Sequence, residues 1–286
     1  MTVVLSTRIG PGFDTTPTFE SMRFPAGEAH IKVANDNAGK GELTEVARLY
    51  GAGGDDLFTL AMWADAAFRR GARRVLQMPY LPGARADHLD FVPFGAGVYA
   101  DFINSLRVDQ VIVFDPHSSI MPGLLRNATV IEPARLVRHH IVGRADRDAA
   151  QRYDGIIAPD KGAVSRAASI AEATHLPLYT ASKHRDPDTG KLSGFTCEPL
   201  PEHGDFLVVD DICDGGGTFV GLAEATGLPR ERLGLYVSHG VFSGRAGYLG
   251  QHYGEVWTTD SFAPAPPPNV LAHVISLAST LNGAIQ

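Results

Sequence analysis

The sequence predicts an α/β protein with mainly parallel sheets, built from two similar units. Short apolar runs alternate with segments that favour helices, as is typical of parallel strands covered by helices. The chain has 286 residues, of which 44% are hydrophobic, and this is enough for about two ordinary domains with their cores. Polar residues follow several of the apolar runs directly, at the edge where open parallel sheets bind ligands.

The predicted strands are short and rich in Val, Ile and Leu, as expected of strands buried on both faces. They cover residues 3–5, 75–78, 111–114, 156–158, 178–180, 206–209, 235–237 and 256–258.

Four helices are predicted between or after these strands. They cover residues 57–70, ended by Gly71, then 97–106, then 218–226, ended by Gly227, and a closing helix over 270–281. The buried face of the first is predicted to carry Leu57, Leu60, Ala61, Ala64 and Phe68.

The alternation of strands and helices pauses over residues 132–152, a stretch rich in Arg, His and Asp that could join the two units. We therefore predict an N-terminal domain over 1–145 and a C-terminal domain over 146–262. Residues 263–286 are predicted to form a stiff connector, APAPPP, followed by the closing helix, which docks back on the body.

Composition excludes several classes of function. The net charge of −7 argues against a nucleic-acid or anionic-membrane partner, so a polyanionic substrate would be met by locally placed cations or metal. Cys197 and Cys213 are too few for a disulfide framework, and Cys213 is predicted to fill space rather than react. The sequence shows neither a signal peptide nor an apolar stretch of spanning length, so a cytoplasmic protein is expected.

The most informative stretch is FLVVDDICDGGGTF, residues 206–219. A buried strand is predicted to end at Asp210 and to lead through a glycine triplet into a helix. Glycines let backbone N–H groups turn towards an anion at a helix N-terminus, and carboxylates accept hydrogen bonds from sugar hydroxyls. The pattern predicts a sugar-phosphate site; the alternative is a tight turn with solvated aspartates. Neither GxGxxG in this loop nor GxxxxGK[ST] anywhere in the chain is present.

Other polar residues follow the predicted strands: His117 after 111–114, Asp160 after 156–158, and Lys183 with Arg185 after 178–180. Taken singly, each could be a hydrogen-bonded structural residue or a solvated charge. Together they supply oxygen and imidazole ligands for a divalent cation and positive charge for a migrating phosphate, as phosphoryl transfer requires.

Seven collinear blocks resemble the ribose-phosphate diphosphokinase (phosphoribosyl pyrophosphate synthetase) family. The blocks are FPAGEAHIKV (24–33), MPYLPGARADH (78–88), VIVFDPHSS (111–119), IIAPDKGAVSRAASIAE (156–172), SKHR (182–185), VVDDICDGGGT (208–218) and SHGVFSG (238–244). The resemblance implies two tandem phosphoribosyltransferase-like, Rossmann-like domains and a homo-oligomer of the dimer or hexamer-of-dimers type. It also implies transfer of the β,γ-diphosphoryl group of Mg-ATP to the C1 hydroxyl of ribose 5-phosphate, with release of AMP.

The resemblance implies a role for each matching residue. His117 and Asp160 would position Mg-ATP, with Mg²⁺ preferred and Mn²⁺ also compatible. Lys183 and Arg185 would stabilise charge on the migrating group. Nucleotide contacts would come from Phe24 and Glu28 of a neighbouring subunit and from Arg85 and Asp87 of the same one. The sugar hydroxyls or metal would be held by Asp210 and Asp211, and the 5-phosphate by Asp214, Gly215, Gly216, Gly217 and Thr218.

The segment 183–198 is charged and rich in Gly and Pro, which predicts a mobile lid that brings Lys183 and Arg185 onto the phosphates; the alternative is a disordered loop. Some positions depart from the family pattern: Ala26, Ala86 and the pair His88 and Leu89 alter nucleotide contacts, and Gly215 replaces a threonine. Only about twenty residues separate the first predicted strand from Phe24, which leaves little room for the family's first helix.

Three other functions stay open. A loop enlarged at Gly215 could admit ADP-ribose, as in phage-encoded relatives that make ADP-ribose pyrophosphate for NAD salvage. The chain could instead be a catalytically silent regulatory relative, or a phosphoribosyltransferase that consumes the activated sugar.

Overall fold

The structure is a computed structural model that describes residues 3–9, 12–14, 19–33, 42–51, 53–88, 93–143, 152–185, 192–262 and 269–286. The chain divides into two compact units: unit 1 is Met1–Ile131 with Leu277–Gln286, and unit 2 is Glu132–Ser276. The domain limits predicted from the sequence, 145 and 262, differ from these limits and stay predictions.

Unit 1 is a six-stranded sheet with helices and a separate hairpin. Its first elements are β1 (Val3–Ile9), β2 (Gly12–Asp14), β3 (Phe19–Arg23), β4 (Ala29–Val33), β5 (Leu43–Leu49), α1 (Gly54–Arg69), β6 (Arg73–Met78), α2 (Gly95–Ser105), β7 (Gln110–Phe114), α3 (Ile120–Leu124) and β8 (Ala128–Ile131). The sheet order is β2-β1-β5-β6-β7-β8, with β1 antiparallel to both neighbours and the other pairs parallel. β3 and β4 form an antiparallel hairpin.

Unit 2 is a seven-stranded sheet with helices. Its elements are α4 (Ala134–Val137), which continues into a π-helical turn (Arg138–Val142), β9 (Gly155–Ala158), α5 (Val164–Thr174), β10 (Leu178–Arg185), β11 (Leu192–Cys197), β12 (Phe206–Cys213), α6 (Gly217–Thr226), β13 (Leu233–Gly240), α7 (Leu249–His252), β14 (Glu255–Thr259) and β15 (His273–Ile275). The order is β11-β10-β9-β12-β13-β14-β15, parallel throughout except for the β10–β11 hairpin.

Each unit buries an apolar core against its own sheet. In unit 1, Leu60 and Trp63 of α1 pack with Leu76 and Val113 of the sheet. In unit 2, the corresponding core joins α6 to β12, β13 and β14. The predicted α/β fold with mainly parallel sheets is therefore confirmed, and every predicted strand is present. The helix predicted over 218–226 is also confirmed as α6, which ends at Gly227 with φ +65°.

Several predicted details are wrong. The strand predicted to end at Asp210 runs on to Cys213, because Ile212 and Cys213 still pair with β13. The stretch 132–152 is not only a connector, since α4 and the π-helical turn lie in its first half. Phe68 does not lie on the buried face of α1: it is 64% exposed, and the Arg74 guanidinium lies 5.2 Å from its ring.

The prediction of one closing helix is also wrong. Residues 273–275 form β15, because Trp257 to Thr259 of β14 offer a parallel edge. The helix α8 (Ala278–Gly283) begins only after this strand and belongs to unit 1. The Asn282 carboxamide oxygen accepts hydrogen bonds from Arg48 at 3.1 Å and Gln77 at 3.2 Å, and Leu281 is fully buried. The connector APAPPP (263–268) lies outside the described residues.

The predicted lid is largely a strand pair. Residues up to Arg185 belong to β10, and Leu192–Cys197 forms its antiparallel partner β11, which lies at the sheet edge. Phe195 of β11 lies over Gly221 of α6, where a side chain would leave no room for the ring. Residues 186–191 lie outside the described part of the chain. Among the helices that the structure describes, none has both the length and the apolar character needed to span a membrane.

Candidate active site

The acidic glycine loop of unit 2 begins inside β12 and ends at α6. Asp210 is half-buried and Asp211 buried near the carboxyl end of β12, and the Asp211 N–H donates to Asp210 Oδ1 at 2.9 Å. The Arg166 guanidinium of α5 lies 3.5 Å from Asp210 Oδ1 and 3.8 Å from Asp211 Oδ1. The two carboxylates therefore share the guanidinium of Arg166, whose side chain is itself largely shielded from water.

The electrostatics of this pair are unfavourable to two full charges. Burial raises the pKa of Asp210 well above its usual range, and the neighbouring Asp211 carboxyl raises it further, while Arg166 opposes the rise. Sugar hydroxyls or a cation placed here would stabilise the ionised form, because hydroxyls donate hydrogen bonds to the two neighbouring carboxylates and a cation offsets their charge. The pair is thus prepared for a ligand with hydrogen-bond donors or positive charge.

The glycines shape the turn into α6. Gly216 has φ +75°, and a Cβ there would come within 3.1 Å of the Ala246 Cα. Gly216 is also the N-cap of α6 and offers no side chain to its first N–H groups. Gly215 and Gly217 are different, since a Cβ at either would meet nothing within 4 Å. The half-buried Thr218 lies in the first turn of the helix, so the loop presents backbone donors and a hydroxyl to an anion.

A second loop, which follows β13, contacts the acidic glycine loop. The Phe242 N–H donates to the Cys213 carbonyl at 2.9 Å, and Ser243 Oγ donates to Asp214 Oδ1 at 2.5 Å. Burial raises the pKa of the Cys213 thiol to about 12, and the Asp210 and Asp214 charges add to the rise. Cys213 is therefore a protonated, buried residue, which agrees with the prediction that it fills space.

Lys183 and Asp160 form an ion pair in the same unit. Lys183 Nζ lies 2.5 Å from Asp160 Oδ2, and Asp160 Oδ1 accepts from the N–H groups of Gly162 and Ala163 at 2.8 and 3.2 Å. Burial raises the pKa of Asp160, but the Lys183 hydrogen bond and charge and the two backbone donors outweigh it and hold the pKa below its usual range. Lys183 lies within β10 rather than after it, and the Arg185 side chain lies outside the described part.

The predicted nucleotide residues lie in unit 1, where they follow strands or lie on the hairpin. Asp87 is buried and accepts a hydrogen bond from Ser118 Oγ at 2.6 Å. His117 is exposed just after β7, and Arg85 is exposed in the loop that follows β6. Their roles stay predictions.

Phe24 and Glu28 flank the exposed turn of the β3–β4 hairpin. The Phe24 N–H donates to the Glu28 carbonyl at 2.9 Å, and the Phe24 ring lies 5.1 Å from the His30 ring. Phe24 is 45% exposed, so its ring is open to a partner, although single exposed apolar side chains are common at protein surfaces.

The predicted metal ligands belong to different units, His117 to unit 1 and Asp160 to unit 2. Within the ranges that the structure describes, no three His, Cys, Asp or Glu side chains are grouped so that they could hold a metal ion by themselves. The predicted metal role of His117 and Asp160 stays a prediction.

Sequence reasoning missed Arg166, Ser118 and Ser243. Arg166 could have been found as the only charged residue between Lys161 and Glu172, in a stretch otherwise of small and apolar residues. The two serines carried no such signal, because a hydroxyl after a strand is common and its partner is set by the fold.

Curated proteins similar to the chain are named ribose-phosphate pyrophosphokinases. The chain is 30% identical over 250 residues to the protein of Bradyrhizobium diazoefficiens, a match that covers 81% of this chain and 74% of that protein. The protein of Mesorhizobium japonicum is 30% identical over 246 residues (81% and 76%), and that of Pasteurella multocida is 27% identical over 283 residues (92% and 85%).

The solved structure of phosphoribosylpyrophosphate synthetase from Mycobacterium smegmatis has the same fold. Its TM-score is 0.73 over 93% of this chain and 88% of that one, at 20% identity. No family model matches the chain. By its identity to the curated relatives over most of their length, the chain belongs to the ribose-phosphate pyrophosphokinase family of ATP-dependent diphosphotransferases.

Proposed function

We propose that the protein transfers the β,γ-diphosphoryl group of Mg-ATP to the C1 hydroxyl of ribose 5-phosphate, giving phosphoribosyl pyrophosphate and AMP. The observation that carries the proposal is the acidic glycine loop. It places a crowded carboxylate pair beside the uncapped N-terminus of α6, so one short segment offers acceptors for hydroxyls and donors for a phosphate. A ribose 5-phosphate carries both groups.

On the sugar side, Asp210 and Asp211 accept hydrogen bonds from the ribose hydroxyls, and Arg166 limits the repulsion between the two carboxylates. The 5-phosphate is held by Asp214, Gly215, Gly216, Gly217 and Thr218. The left-handed Gly216 and the start of α6 orient backbone N–H groups towards this anion. These contacts fix the sugar and leave its C1 hydroxyl free to react.

On the nucleotide side, Arg85, Asp87 and His117 bind ATP, and Phe24 and Glu28 reach the nucleotide of a neighbouring subunit. Lys183 and Arg185 stabilise the charge on the migrating group. The C1 oxygen bonds to the β-phosphorus while the bond from that phosphorus to the α,β-bridging oxygen breaks, and the hydroxyl proton is released. Such a transfer needs alignment and positive charge rather than a covalent intermediate on the protein.

The donor set suits a hard divalent cation, since carboxylate and phosphate oxygens are the ligands that Mg²⁺ prefers, and Mn²⁺ accepts the same ones. Burial and the neighbouring Asp211 raise the pKa of Asp210, so a cation beside this pair would stabilise its ionised form. His117 and Asp160 would hold the cation together with the ATP phosphates. When bound, Mg²⁺ neutralises phosphate charge. Asp160 already pairs with Lys183, so the cation would share this carboxylate with the ammonium or displace it.

The proposal is tested by mass spectrometry of the products after incubation with ATP, Mg²⁺ and ribose 5-phosphate. AMP and phosphoribosyl pyrophosphate in equal amounts are expected. Formation of ADP, or no nucleotide product, would contradict the proposal. Consumption of phosphoribosyl pyrophosphate with a nucleobase would point to a phosphoribosyltransferase instead, and binding without turnover would point to a silent regulatory relative.

A second candidate acceptor is ADP-ribose, with the same chemistry and a role in NAD salvage. It is favoured by the open space at Gly215, where a Cβ would meet nothing within 4 Å. Gly215→Thr is expected to shift the ratio of rates towards ribose 5-phosphate, because the added side chain occupies room that a group on the 5-phosphate would need. An unchanged ratio would remove the support for this acceptor. We further propose a cytoplasmic homo-oligomer, without nucleic-acid or membrane partners.

A further inference from the structure

The strand β10, which carries Lys183, changes its partner along its length. Its first residues, Leu178–Thr180, pair with β9, whereas Ala181 to Arg185 pair with β11. In the described part of the chain, Lys183 therefore lies on a two-stranded ribbon of β10 and β11 that extends beyond the β9 ladder. A two-stranded ribbon has little stability of its own in water. The position of Lys183 thus depends on what supports β11.

The helix α6 supports this ribbon, and Phe195 of β11 makes the contact. The Phe195 ring lies where any residue other than glycine at position 221 would carry its side chain. A Cβ on Gly221 would lie 2.2 and 2.5 Å from two atoms of this ring, and the three nearest atoms all belong to Phe195. Glycine inside a helix costs about 1 kcal/mol relative to alanine, so its presence here points to a packing requirement. Gly221 therefore forms a notch for the Phe195 ring.

The register of the ribbon connects the Gly221 notch to Lys183. Phe195 is the direct cross-strand partner of Lys183, and directly paired residues of antiparallel strands lie on the same face. Ala181 and Cys197, the next pair on that face, also pack in the core of unit 2. Lys183 therefore projects from the face of the ribbon that packs against α6 and this core.

The same helix begins at the acidic glycine loop. Gly221 lies four residues after Gly217, the first residue of α6, which corresponds to roughly 6 Å along the helix axis. One helix thus carries the loop proposed to bind the sugar phosphate at its N-terminus and the notch about one turn later. The ion pair with Asp160 holds the Lys183 ammonium, whereas the notch holds the strand from which that side chain extends.

We propose that Phe195 and Gly221 are positioning residues: the ring in the notch fixes the Lys183 ribbon against α6, and so fixes the lysine relative to the acidic glycine loop. This inference rests on the proposed function, because it takes Lys183 and that loop as parts of one site. Neither Phe195 nor Gly221 is assigned a contact with a substrate. The alignment on which the transfer depends is thereby built into the fold of unit 2.

Steady-state kinetics of Gly221→Ala and Phe195→Ala test the inference. Each substitution is expected to lower kcat about 10- to 100-fold, since a displacement of about 1 Å can have an effect of this size. The KM values for ATP and ribose 5-phosphate should change less than about twofold, because Lys183 is proposed to act mainly in the transition state. Alanine favours a helix more than glycine does, so Gly221→Ala disturbs the seat of the ring and not α6 itself.

Two double variants separate positioning from general damage. In a Phe195→Ala background, Gly221→Ala is expected to cause no further loss of kcat, because the ring that the added methyl group would displace is gone. In a Lys183→Ala background, neither substitution should lower kcat further, because both act through that lysine.

The matched control is Gly234→Ala, near the start of β13 in the same unit. A Cβ on Gly234 would lie 2.2 Å from the Tyr153 hydroxyl oxygen, so this position is as crowded as Gly221 but lies far along the strand from its carboxyl end. The variant is expected to unfold at a lower temperature and to keep the wild-type kcat per folded molecule. Gly250→Ala, where the added Cβ would meet nothing within 4 Å, is expected to change neither quantity.

Hydrogen exchange followed by mass spectrometry measures how firmly the ribbon is held, without any reaction. Gly221→Ala and Phe195→Ala are both expected to accelerate exchange of the backbone N–H groups of residues 181–183 and 194–197 about tenfold, because a ribbon that loses its support opens more often. Exchange in β9 and β12 should stay as in the wild type, and Gly234→Ala should leave the ribbon unchanged.

The inference is overturned if Gly221→Ala or Phe195→Ala leaves kcat unchanged, if Gly221→Ala causes the same loss in the Phe195→Ala background, or if Gly234→Ala lowers kcat as much. A wild-type enzyme that forms no AMP would refute the proposed function instead. In that case, hydrogen exchange decides: faster exchange confined to the ribbon in both variants supports the positioning role, and unchanged exchange refutes it.

Discussion

At the scale of single residues, Asp210 illustrates how a residue of the proposed site can lower the stability of the folded protein. Its carboxyl is largely shielded from water, lies beside Asp211 and has the Arg166 guanidinium 3.5 Å away. Its pKa is raised in the folded state, so the folded protein binds this proton more tightly than the unfolded chain does. The stabilisation is fully present below the unfolded pKa of about 3.9 and is lost as the pH rises through the raised folded pKa.

Asp210→Asn is therefore expected to stabilise the protein at pH 7.5 by on the order of 1 kcal/mol while abolishing activity, the trade-off common at functional sites. The gain should shrink as the pH is lowered, because the raised pKa lets the wild-type carboxyl take up its own proton. Thermal unfolding of both proteins across this pH range is the measurement. Asp101→Asn, at an exposed position of α2, serves as the control; an equal gain there would contradict the explanation.

The positive charge of Lys183 is predicted to act mainly during the transfer step. Lys183→Ala is expected to lower kcat by about 10²- to 10³-fold, as for loss of a group that acts mainly in the transition state, with a much smaller change in the KM for ATP. Steady-state kinetics with varied ATP gives both constants. The exposed Lys161→Ala provides a charge-matched comparison. A large rise in KM with unchanged kcat would assign Lys183 to binding.

Candidate site residues were predictable from the sequence where neighbouring residues together form a recognisable binding motif. The run from Asp210 to Thr218 combines a strand, acids and glycines in one segment, and a strand and a helix do flank it as predicted. Arg166, Ser118 and Ser243 could not be assigned because their partners are distant in sequence: Arg166 precedes Asp210 by 44 positions in the chain. Contacts of this kind are created by the fold.

At the scale of elements, α8 is short but tied firmly to unit 1. Leu281 is fully buried, Asn282 accepts from Arg48 and Gln77, and the Ala284 carbonyl accepts from Gln110 at 2.9 Å. A helix of six residues has little stability of its own. The surrounding contacts therefore maintain it, and in turn it completes the packing of its unit.

Leu281→Ala is expected to lower the free energy of unfolding by about 2–5 kcal/mol, the range for deleting a fully buried leucine side chain. Leu271 is 90% exposed and provides the matched control: Leu271→Ala should change stability by less than about 0.5 kcal/mol. Urea unfolding of the two variants is the measurement. Similar losses at both positions would show that burial is not the cause.

Strands and helices were predictable where the apolar residues recur with the spacing of a strand or a helix. The residues at which these elements end were not predictable. β12 extends past its acidic residues because the ladder with β13 continues, which the charges alone argue against. The closing segment was predicted as a helix from its composition, but residues 273–275 pair with the edge of β14 and form a strand. In both cases hydrogen bonds to a neighbouring strand outweighed local preference.

At the scale of the whole molecule, a protein of net charge −7 is proposed to act on polyanions. Local charge would have to overcome the overall field, and Arg85, Arg166, Lys183 and Arg185 are the residues proposed to supply it. The family relationship was predictable because seven collinear blocks spread over the chain, and the resemblance was confirmed by the curated relatives.

The proposed exchange of nucleotide contacts between subunits can be tested by mixing two inactive variants. Phe24→Ala removes a contact offered to a neighbour, whereas Lys183→Ala disables a subunit's own site. In mixed oligomers, a site with its own Lys183 receives Phe24 from the other variant, so activity should rise well above that of either variant alone. Activity after co-refolding, with subunit number from light scattering, is the measurement. No rise despite mixed oligomers would place Phe24 in its own subunit's site.

The contact between Lys183 and Asp160 has a final consequence for the charge of this part of unit 2. The ammonium and the carboxylate neutralise each other, so the pair carries no net charge as it stands. An ammonium has three N–H donors, so contact with one carboxylate oxygen does not prevent it from donating to a phosphate as well. A cation bound at Asp160 would add to the positive charge that such a phosphate meets.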